Sequence, residues 1–354
     1  MPHPAPPLRQ IAGTGDFIRN SECRSCVHGE LAFERRLLTP ASLLDDSPAQ
    51  IATAAGLYLP QNYDREFKGW VSARTALGAS LNVPAVRTGA MLGADALFAR
   101  LNDFGLALAE SGGYHGPALA LGSADVTLLA LTNAYRALAN RGLFSAPALR
   151  GEKPAMQRVA EAAAVHLVTD ILADNAARVR TFGFDSALAT RGFAAVKTGT
   201  SKDLRDNWCI GFTERYSIGV WVGNASGAAM HEVSGVSGAA PIWRELVAAL
   251  HAGQPSRAPA RPAGVMAQRI VFEANREAPR EELFLAGTEQ AAQRESAQLA
   301  PRSAFGIASP RDGSRFALDP DIPPQAQQIV FEGEPGTWVL DGKRLGRGST
   351  LRWA

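Results

Sequence analysis

The chain has 354 residues, 46% hydrophobic and 20% charged, with 34 Gly and 22 Pro; it is too long for one ordinary core and has the composition of a folded globular protein with two or three units. With 36 basic against 34 acidic residues the net charge is +2, which leaves no electrostatic footprint for nucleic acid. No apolar run nears the roughly 20 residues of a membrane span, and the opening MPHPAPPLRQIAGTGDF lacks the apolar core of a signal peptide, so the chain as written reads as cytoplasmic.

Residues 1–30 are irregular and rich in Pro and polar residues. They hold Cys23-Arg-Ser-Cys26, but the only other cysteine is Cys209. No second pair completes a zinc site, and no βαβ pattern follows, so the spacing reads as chance and no metal or cofactor is expected. From Leu31 the texture changes. Trp70–Leu81 and Ala85–Phe104 have helical apolar spacing, interrupted at Asn82-Val83-Pro84, where proline disfavours helix in the residue before it. A glycine-rich loop, Ser111–Gly122, leads to Ser123 as an N-cap and a helix over Asp125–Asn140 that ends at Arg141-Gly142. Val159–Leu172 predicts another amphipathic helix.

The period then switches to that of strands: Phe193–Gly199, Asn207–Thr213 and Tyr216–Asn224, with a tight reversal at Glu214-Arg215. Trp208, Ile210 and Phe212 alternate onto one face, and Ile218, Val220 and Val222 repeat the pattern. A helix over Ala239–His251 follows. Helices, an antiparallel meander and a terminal helix describe an α+β domain. The stretch GQPSRAPARPAG, residues 253–264, predicts a domain boundary. A strand-like piece at Arg269–Glu273 precedes a Glu-, Gln- and Ala-rich segment to Ala300 that reads as helical or mobile linker. Beyond Ser303 the texture is all-β, with a turn at Pro310, strands at Gln328–Glu332 and Thr337–Leu340, and Asp341-Gly342 as a hairpin turn. The short last module reads as incomplete.

Two motifs carry chemistry. In Val196-Lys197-Thr198-Gly199-Thr200 a lysine sits on a strand edge, Gly199 removes the side chain that would block a ligand, and Thr200 offers a hydroxyl and a backbone N–H. That set suits a substrate with a carboxylate and a carbonyl to be attacked. Taken alone, it also fits a solvated strand end. Ser80-Leu81-Asn82 places a hydroxyl and a carboxamide at a break between helices, able to share one cleft wall. Taken alone, it also fits residues that merely stop a helix.

Together the motifs match two of the three signatures, S-x-x-K, S-D-N and K-T-G, of serine β-lactamases and penicillin-binding proteins, with only the middle residue of S-D-N changed. The runs RRLLTPASLLDDSP, GLYLPQNYDREFKGWVSARTALGASLNVPAVRT, ALGSADVTLLALTNAYRALANRG and VKTGTSKDLRDNWCIGFTERYSIGVWVGN resemble the transpeptidase domain of class A penicillin-binding proteins. The tail IASPRDGSRFALDPDIPPQAQQIVFEG, with TWVLDGKRLG, is similar to the extra β domain of the penicillin-binding protein 1C branch of that family.

The resemblance implies a transpeptidase fold over residues 31–252, a linker over 253–302 and a truncated, sandwich-like β domain over 303–354, without a glycosyltransferase domain. It implies acyl transfer from D-Ala-D-Ala stem peptides, with β-lactams as ligands, on the periplasmic side of the bacterial inner membrane, beside other cell-wall synthesis proteins. By the same resemblance Lys197 lines the acyl site, Ser80 relays a proton and Asn82 orients the peptide. Thr198, Gly199 and Thr200 bind substrate, Thr200 at the terminal carboxylate.

The nucleophile motif is missing. The lysines Lys68, Lys153, Lys197, Lys202 and Lys343 follow Arg65, Arg150, Ala194, Gly199 and Leu340 at three residues' distance, so no S-x-x-K exists. Ser21-x-x-Arg24 is the nearest substitute, and arginine does not release its proton to act as a base. Residues 1–30 therefore read as foreign to the family, the product of a frameshift or rearrangement, and a core opened by the lost helix predicts a broad, low-enthalpy melt. Acyl transfer is expected to be impaired; a binding-only module and a non-functional gene fragment are the alternatives. Sequencing the genomic DNA upstream of codon 31 should reveal S-x-x-K in a neighbouring frame; a clean frame with none would refute the frameshift.

Overall fold

The structure is a computed structural model that describes residues 18–19, 22–53, 56–148, 152–183, 185–201, 204–293, 307–309 and 329–353. The described residues fall into two compact units, one within Met1–Ala49 and Pro60–Arg294, the other within Gln50–Leu59 and Glu295–Ala354. The expected turn at Pro310 and the candidate Ser21 lie outside the described residues.

The first unit is α+β. Its helices are α1 (Ser25–Glu34), α2 (Ala73–Gly78), α3 (Asn82–Leu92), α4 (Ala94–Asp103), α5 (Leu128–Ala139), α6 (Ala162–Ala173), α7 (Asn175–Phe182) and α8 (Ala240–Leu250). The main sheet is antiparallel, with β1 (Ala195–Thr200) at one edge, β2 (Asp206–Phe212) in the centre and β3 (Ser217–Gly223) at the other. Register sets the two faces. Trp208 opposes Trp221 and Cys209 opposes Val220, so Trp208, Ile210 and Phe212 enter the large helical core. Ile218 and Val220, with Val196 and Cys209, pack under Trp243 of α8. Both faces are thus covered, as an α-on-β architecture requires.

Several boundaries differ from those the sequence suggests. Residues 69–72 are a strand paired with Leu43–Asp46, and the helix begins only after Ser72, whose hydroxyl accepts from Thr75 N. The break falls at Ser80, not at Asn82–Pro84, because proline is tolerated in the first turn of α3. Gly93, at φ 84°, splits the long helix into α3 and α4. Thr127, not Ser123, caps α5, since Asp125–Val126 pairs with Ile18–Arg19.

The region expected as linker contains a hairpin, β4 (Val265–Phe272) and β5 (Arg280–Leu285). Alternation buries Val265, Leu283 and Leu285 in the helical core and Ile270, Phe272 and Phe284 against Ala41 and Leu43. Charge fastens it further. Arg74 of α2 donates to Glu282 at 2.6–3.0 Å, to Asp170 at 2.6 Å and to Asp174 at 3.1 Å. Glu277 accepts from the Ser72 N–H and hydroxyl, both at 2.8 Å, and from Arg280 at 2.7 Å. Removing one partner from such a buried set costs about 3–5 kcal/mol.

Residues 22–30 are also packed into the fold. After a 3-10 turn, Glu22–Arg24, α1 lies against α6, α3, α4 and α2 and buries Cys26, Val27, Leu31, Ala32 and Phe33. Its polar residues are buried as well. Arg24 is fully buried, donating through Nη2 to the carbonyls of Gly122 and Ala124, while its Nε and Nη1 have no partner. Burial pushes its pKa down to about 10. Glu30 and Glu34 both accept from Arg100; burial raises the Glu30 pKa, whereas these hydrogen bonds hold Glu34 at about 2. His28 is 1% exposed and neither ring nitrogen has a partner. Burial first, then the Arg24 charge, lower its pKa to about 3.

In the second unit β6 (Ile329–Leu340) and β7 (Lys343–Trp353) form a hairpin that also pairs with Ile307–Ser309. Asp341 at φ 49° and Gly342 at φ 80° make its turn, the positive φ pair that Asp-Gly favours. The two strands expected at 328–332 and 337–340 are one strand with a register shift between Glu332 and Gly336.

Because α1 closes the core of the first unit, calorimetry should show that unit unfolding in one cooperative transition in place of a broad melt. His28→Leu removes two unpaired nitrogens, worth about 1–3 kcal/mol, and should raise Tm. The gain should be larger at about pH 5 than at about pH 8: below the ordinary pKa of 6.5 only the unfolded chain protonates His28, and this loss continues towards pH 3. Equal gains at both pH values would contradict a buried neutral His28.

Candidate acyl-transfer site

The site is assembled at the C-terminal end of α2 and the edge of the main sheet. α2 closes with Ser80 N donating to Leu77 O at 3.2 Å and Leu81 N to Ala76 O at 2.9 Å. This is the Schellman pattern, with Ser80 in the left-handed position at φ 60°. Serine there lacks the freedom of glycine, a strain of order 1–3 kcal/mol. It projects the hydroxyl sideways, where it meets Lys197 Nζ at 2.5 Å.

Lys197 is 2% exposed. An ammonium so buried needs compensation, and it donates to Ser80 Oγ and, at 2.7 Å, to the Thr198 carbonyl. Its own carbonyl accepts from Cys23 Sγ at 3.7 Å, and Tyr135 OH donates to Cys23 O at 2.6 Å. The turn that begins α1 therefore lies along the free edge of β1. Burial pushes the Cys26 thiol up to about 11, which leaves Cys26 little thiolate character.

Thr198 is buried opposite Cys209, and Gly199 opposes Trp208. The Thr200 hydroxyl accepts from Gly235 N at 3.0 Å and keeps its proton free to donate. Gly235, before α8, was not singled out from sequence. A Cβ there would lie 2.7 Å from the carbonyls of Gly199 and Trp208, so only glycine lets this segment cross the end of β1.

Asn82 stands one residue beyond Leu81, at the start of α3. Its N–H donates to Asn62 Oδ1 at 2.8 Å and its Nδ2 to Gln61 O at 2.8 Å, while Oδ1 is shielded from solvent with no partner. Asn62 and Asp46 were also missed from sequence. Asn62 is buried and bridges Asn82 to the Asp46 carboxylate at 2.8–2.9 Å. Burial raises the Asp46 pKa while Asn62 and the Lys68 N–H oppose the rise. Only the hydrogen bonds themselves reveal this brace; 16 residues separate the pair, with no local pattern.

Lys197 and Ser80 thus meet, with Thr198, Gly199 and Thr200 along the same edge and Asn82 on the adjoining wall. Such a pair can pass a proton and present positive charge to an anion. A nucleophile–base pair is not seen on α1. Ser25 and His28 have the three-residue spacing, but His28 hydrogen bonds to nothing. Among the described residues no group of three or more His, Cys, Asp or Glu is placed to hold a metal.

Residues 27–247 match the family model of the penicillin binding protein transpeptidase domain, and residues 294–354 that of the penicillin-binding protein C-terminus family. Penicillin-binding protein 1C of Escherichia coli is 35% identical over 222 residues, covering 62% of this chain and 28% of that protein. Penicillin-binding protein 1B of Vibrio cholerae is 29% identical, covering 58% and 28%. The chain therefore spans about 28% of the length of these relatives. Among solved structures, penicillin-binding protein 1A of Haemophilus influenzae superposes with a TM-score of 0.68 at 21% identity, covering 78% of this chain and 49% of that one. The PonA1 protein of Mycobacterium tuberculosis in complex with penicillin V gives 0.56 at 21%, covering 70% and 73%. With a family match over well over half its length, the chain belongs to the penicillin-binding protein transpeptidase family and is similar to penicillin-binding protein 1C.

Proposed function

We propose that this chain carries the ligand-holding side of a peptidoglycan transpeptidase site and recognises D-Ala-D-Ala stem peptides and β-lactams with acyl transfer impaired. The observation that carries the reading is the Lys197–Ser80 hydrogen bond at the edge of β1. In this reading Lys197 supplies charge for the anionic end of the ligand, Ser80 relays a proton, and Asn82 orients the peptide amide. Thr198, Gly199 and Thr200 line the strand, with the Thr200 hydroxyl at the terminal carboxylate. Transpeptidase residues run over 31–252 with the buried turn and helix before them, and the C-terminal β module is a separate unit. Its place of action is the periplasmic face of the bacterial inner membrane, beside other cell-wall synthesis proteins. Impairment rests on the sequence: without S-x-x-K no serine has an amine base one turn away. Reversible ligand binding without a covalent product is the specific form expected.

Fluorescent penicillin separates these outcomes. Equilibrium binding should be seen by polarisation, with no labelled band after denaturing electrophoresis; a covalent band would overturn the impairment. Lys197→Met should weaken binding by about tenfold or more, the loss of one charge-assisted contact. Ser80→Gly should weaken it too while keeping or raising Tm, because glycine relieves the positive φ. Binding unaffected by both variants would place the ligand elsewhere.

A further inference from the structure

The end of β1 that carries Thr200 is closed by Asp206, the first residue of β2. Three hydrogen bonds join Asp206 to Ser201, the residue after Thr200. Ser201 N donates to the Asp206 carbonyl at 2.9 Å, Ser201 Oγ donates to Asp206 Oδ2 at 3.0 Å, and Asp206 N donates back to Ser201 Oγ at 2.8 Å. The second carboxylate oxygen, Oδ1, accepts from the indole Nε1 of Trp221 on β3 at 3.1 Å. Trp221 packs against the helical core, so the carboxylate ties the end of β1 through β3 to the interior. Strand ends without such ties open at little cost. The hydroxyl protons are sorted as well. Ser201 has one proton, and with Asp206 N donating to its oxygen that proton goes to Oδ2, leaving none for a ligand. The Thr200 hydroxyl is in the opposite condition: it accepts from Gly235 N at 3.0 Å and keeps its proton to donate.

We propose that Asp206 is a positioning residue for the carboxylate-binding end of the acyl-transfer site. Through Ser201 it fixes the end of β1, and so holds the Thr200 hydroxyl and N–H where the ligand's carboxylate docks. The identity of the ligand rests on the acyl-transfer reading; the geometry rests on the hydrogen bonds alone. An acid is the residue type this place needs. A carboxylate accepts from Ser201 and Trp221 at once, whereas asparagine has a single acceptor oxygen and turns its NH2 donor towards the indole N–H or the hydroxyl, so one of the two bonds is lost. A charged acceptor also holds its donors more tightly than a neutral one.

Two variants of the full chain test this: Asp206→Asn, which alters the acceptor, and Ser201→Ala, which removes the linking hydroxyl without changing charge. In the ligand-free protein, amide hydrogen exchange followed by NMR should quicken by about tenfold at Gly235, whose N–H depends on Thr200 Oγ. Cys209 and Ile210, in the central strand, should stay protected. Fluorescent penicillin and its methyl ester, which lacks the carboxylate, supply the second readout by polarisation. Each variant should lower the preference for the free acid over the ester by about fivefold or more. The double variant should lose no more than either single one, because both residues act through one set of bonds. A general loosening of the fold would instead weaken acid and ester alike and speed exchange across the whole sheet. That result, or unchanged exchange at Gly235, overturns the proposal. The exchange experiment needs no ligand, so a chain that binds no penicillin would sink the acyl-transfer reading, while the placing of Thr200 by Asp206 stands or falls on Gly235.

Discussion

A buried lysine on a strand edge must be given oxygen atoms to donate to, and the unit around β1 is arranged to supply them. Lys197 reaches the Ser80 hydroxyl only because α2 ends in a left-handed residue. That helix end is fixed because its other end is held: Ser72 caps α2 and is gripped by Glu277, while Arg74 two residues on is gripped by Glu282. The hairpin β4–β5 thus clamps the six-residue helix that delivers Ser80. The edge of β1 is also held, by Gly235 at Thr200 and more weakly by Cys23 at the Lys197 carbonyl.

α1 is the least consistent part of this arrangement. It occupies the middle of the helical core yet presents Arg24, Ser25, His28 and Glu30 there, all buried, with unpaired nitrogens on Arg24 and His28. Local and global preferences conflict in this one helix far more than elsewhere in the unit. The position of α1 is therefore set by the surfaces of α6, α3 and α4 that it fills, rather than by its own pattern.

What could be read from the sequence follows from where the signal was local. The three-strand meander was legible because Trp208, Ile210 and Phe212 alternate, and Asp341-Gly342 because its dihedrals are intrinsic to the pair. Lys197 and Ser80 were legible as motifs, although their contact spans 117 residues. Illegible were features made by distant partners. Ser72 starts a helix one strand later than apolar spacing suggests because Glu277 and the 43–46 strand claim the preceding residues. The hairpin at 265–285 looked like linker because its Glu and Arg residues read as solvated until Arg74 is seen to meet them. Asn62 and Gly235 carried no local signal at all, one a buried brace and the other a crossing point.

The left-handed turn at Ser80 also bears on how this sequence can drift. Glycine and asparagine suit the backbone there but lose the hydroxyl; threonine keeps the hydroxyl but brings a β-branch that a positive φ resists. No replacement residue combines that hydroxyl with a backbone suited to the turn. A lineage that still needs the lysine's partner is confined to serine, and one released from that need would be expected to slide to glycine or asparagine at little cost in folding. Codon 80 across related genomes is thus a compact record of whether this groove has remained under selection.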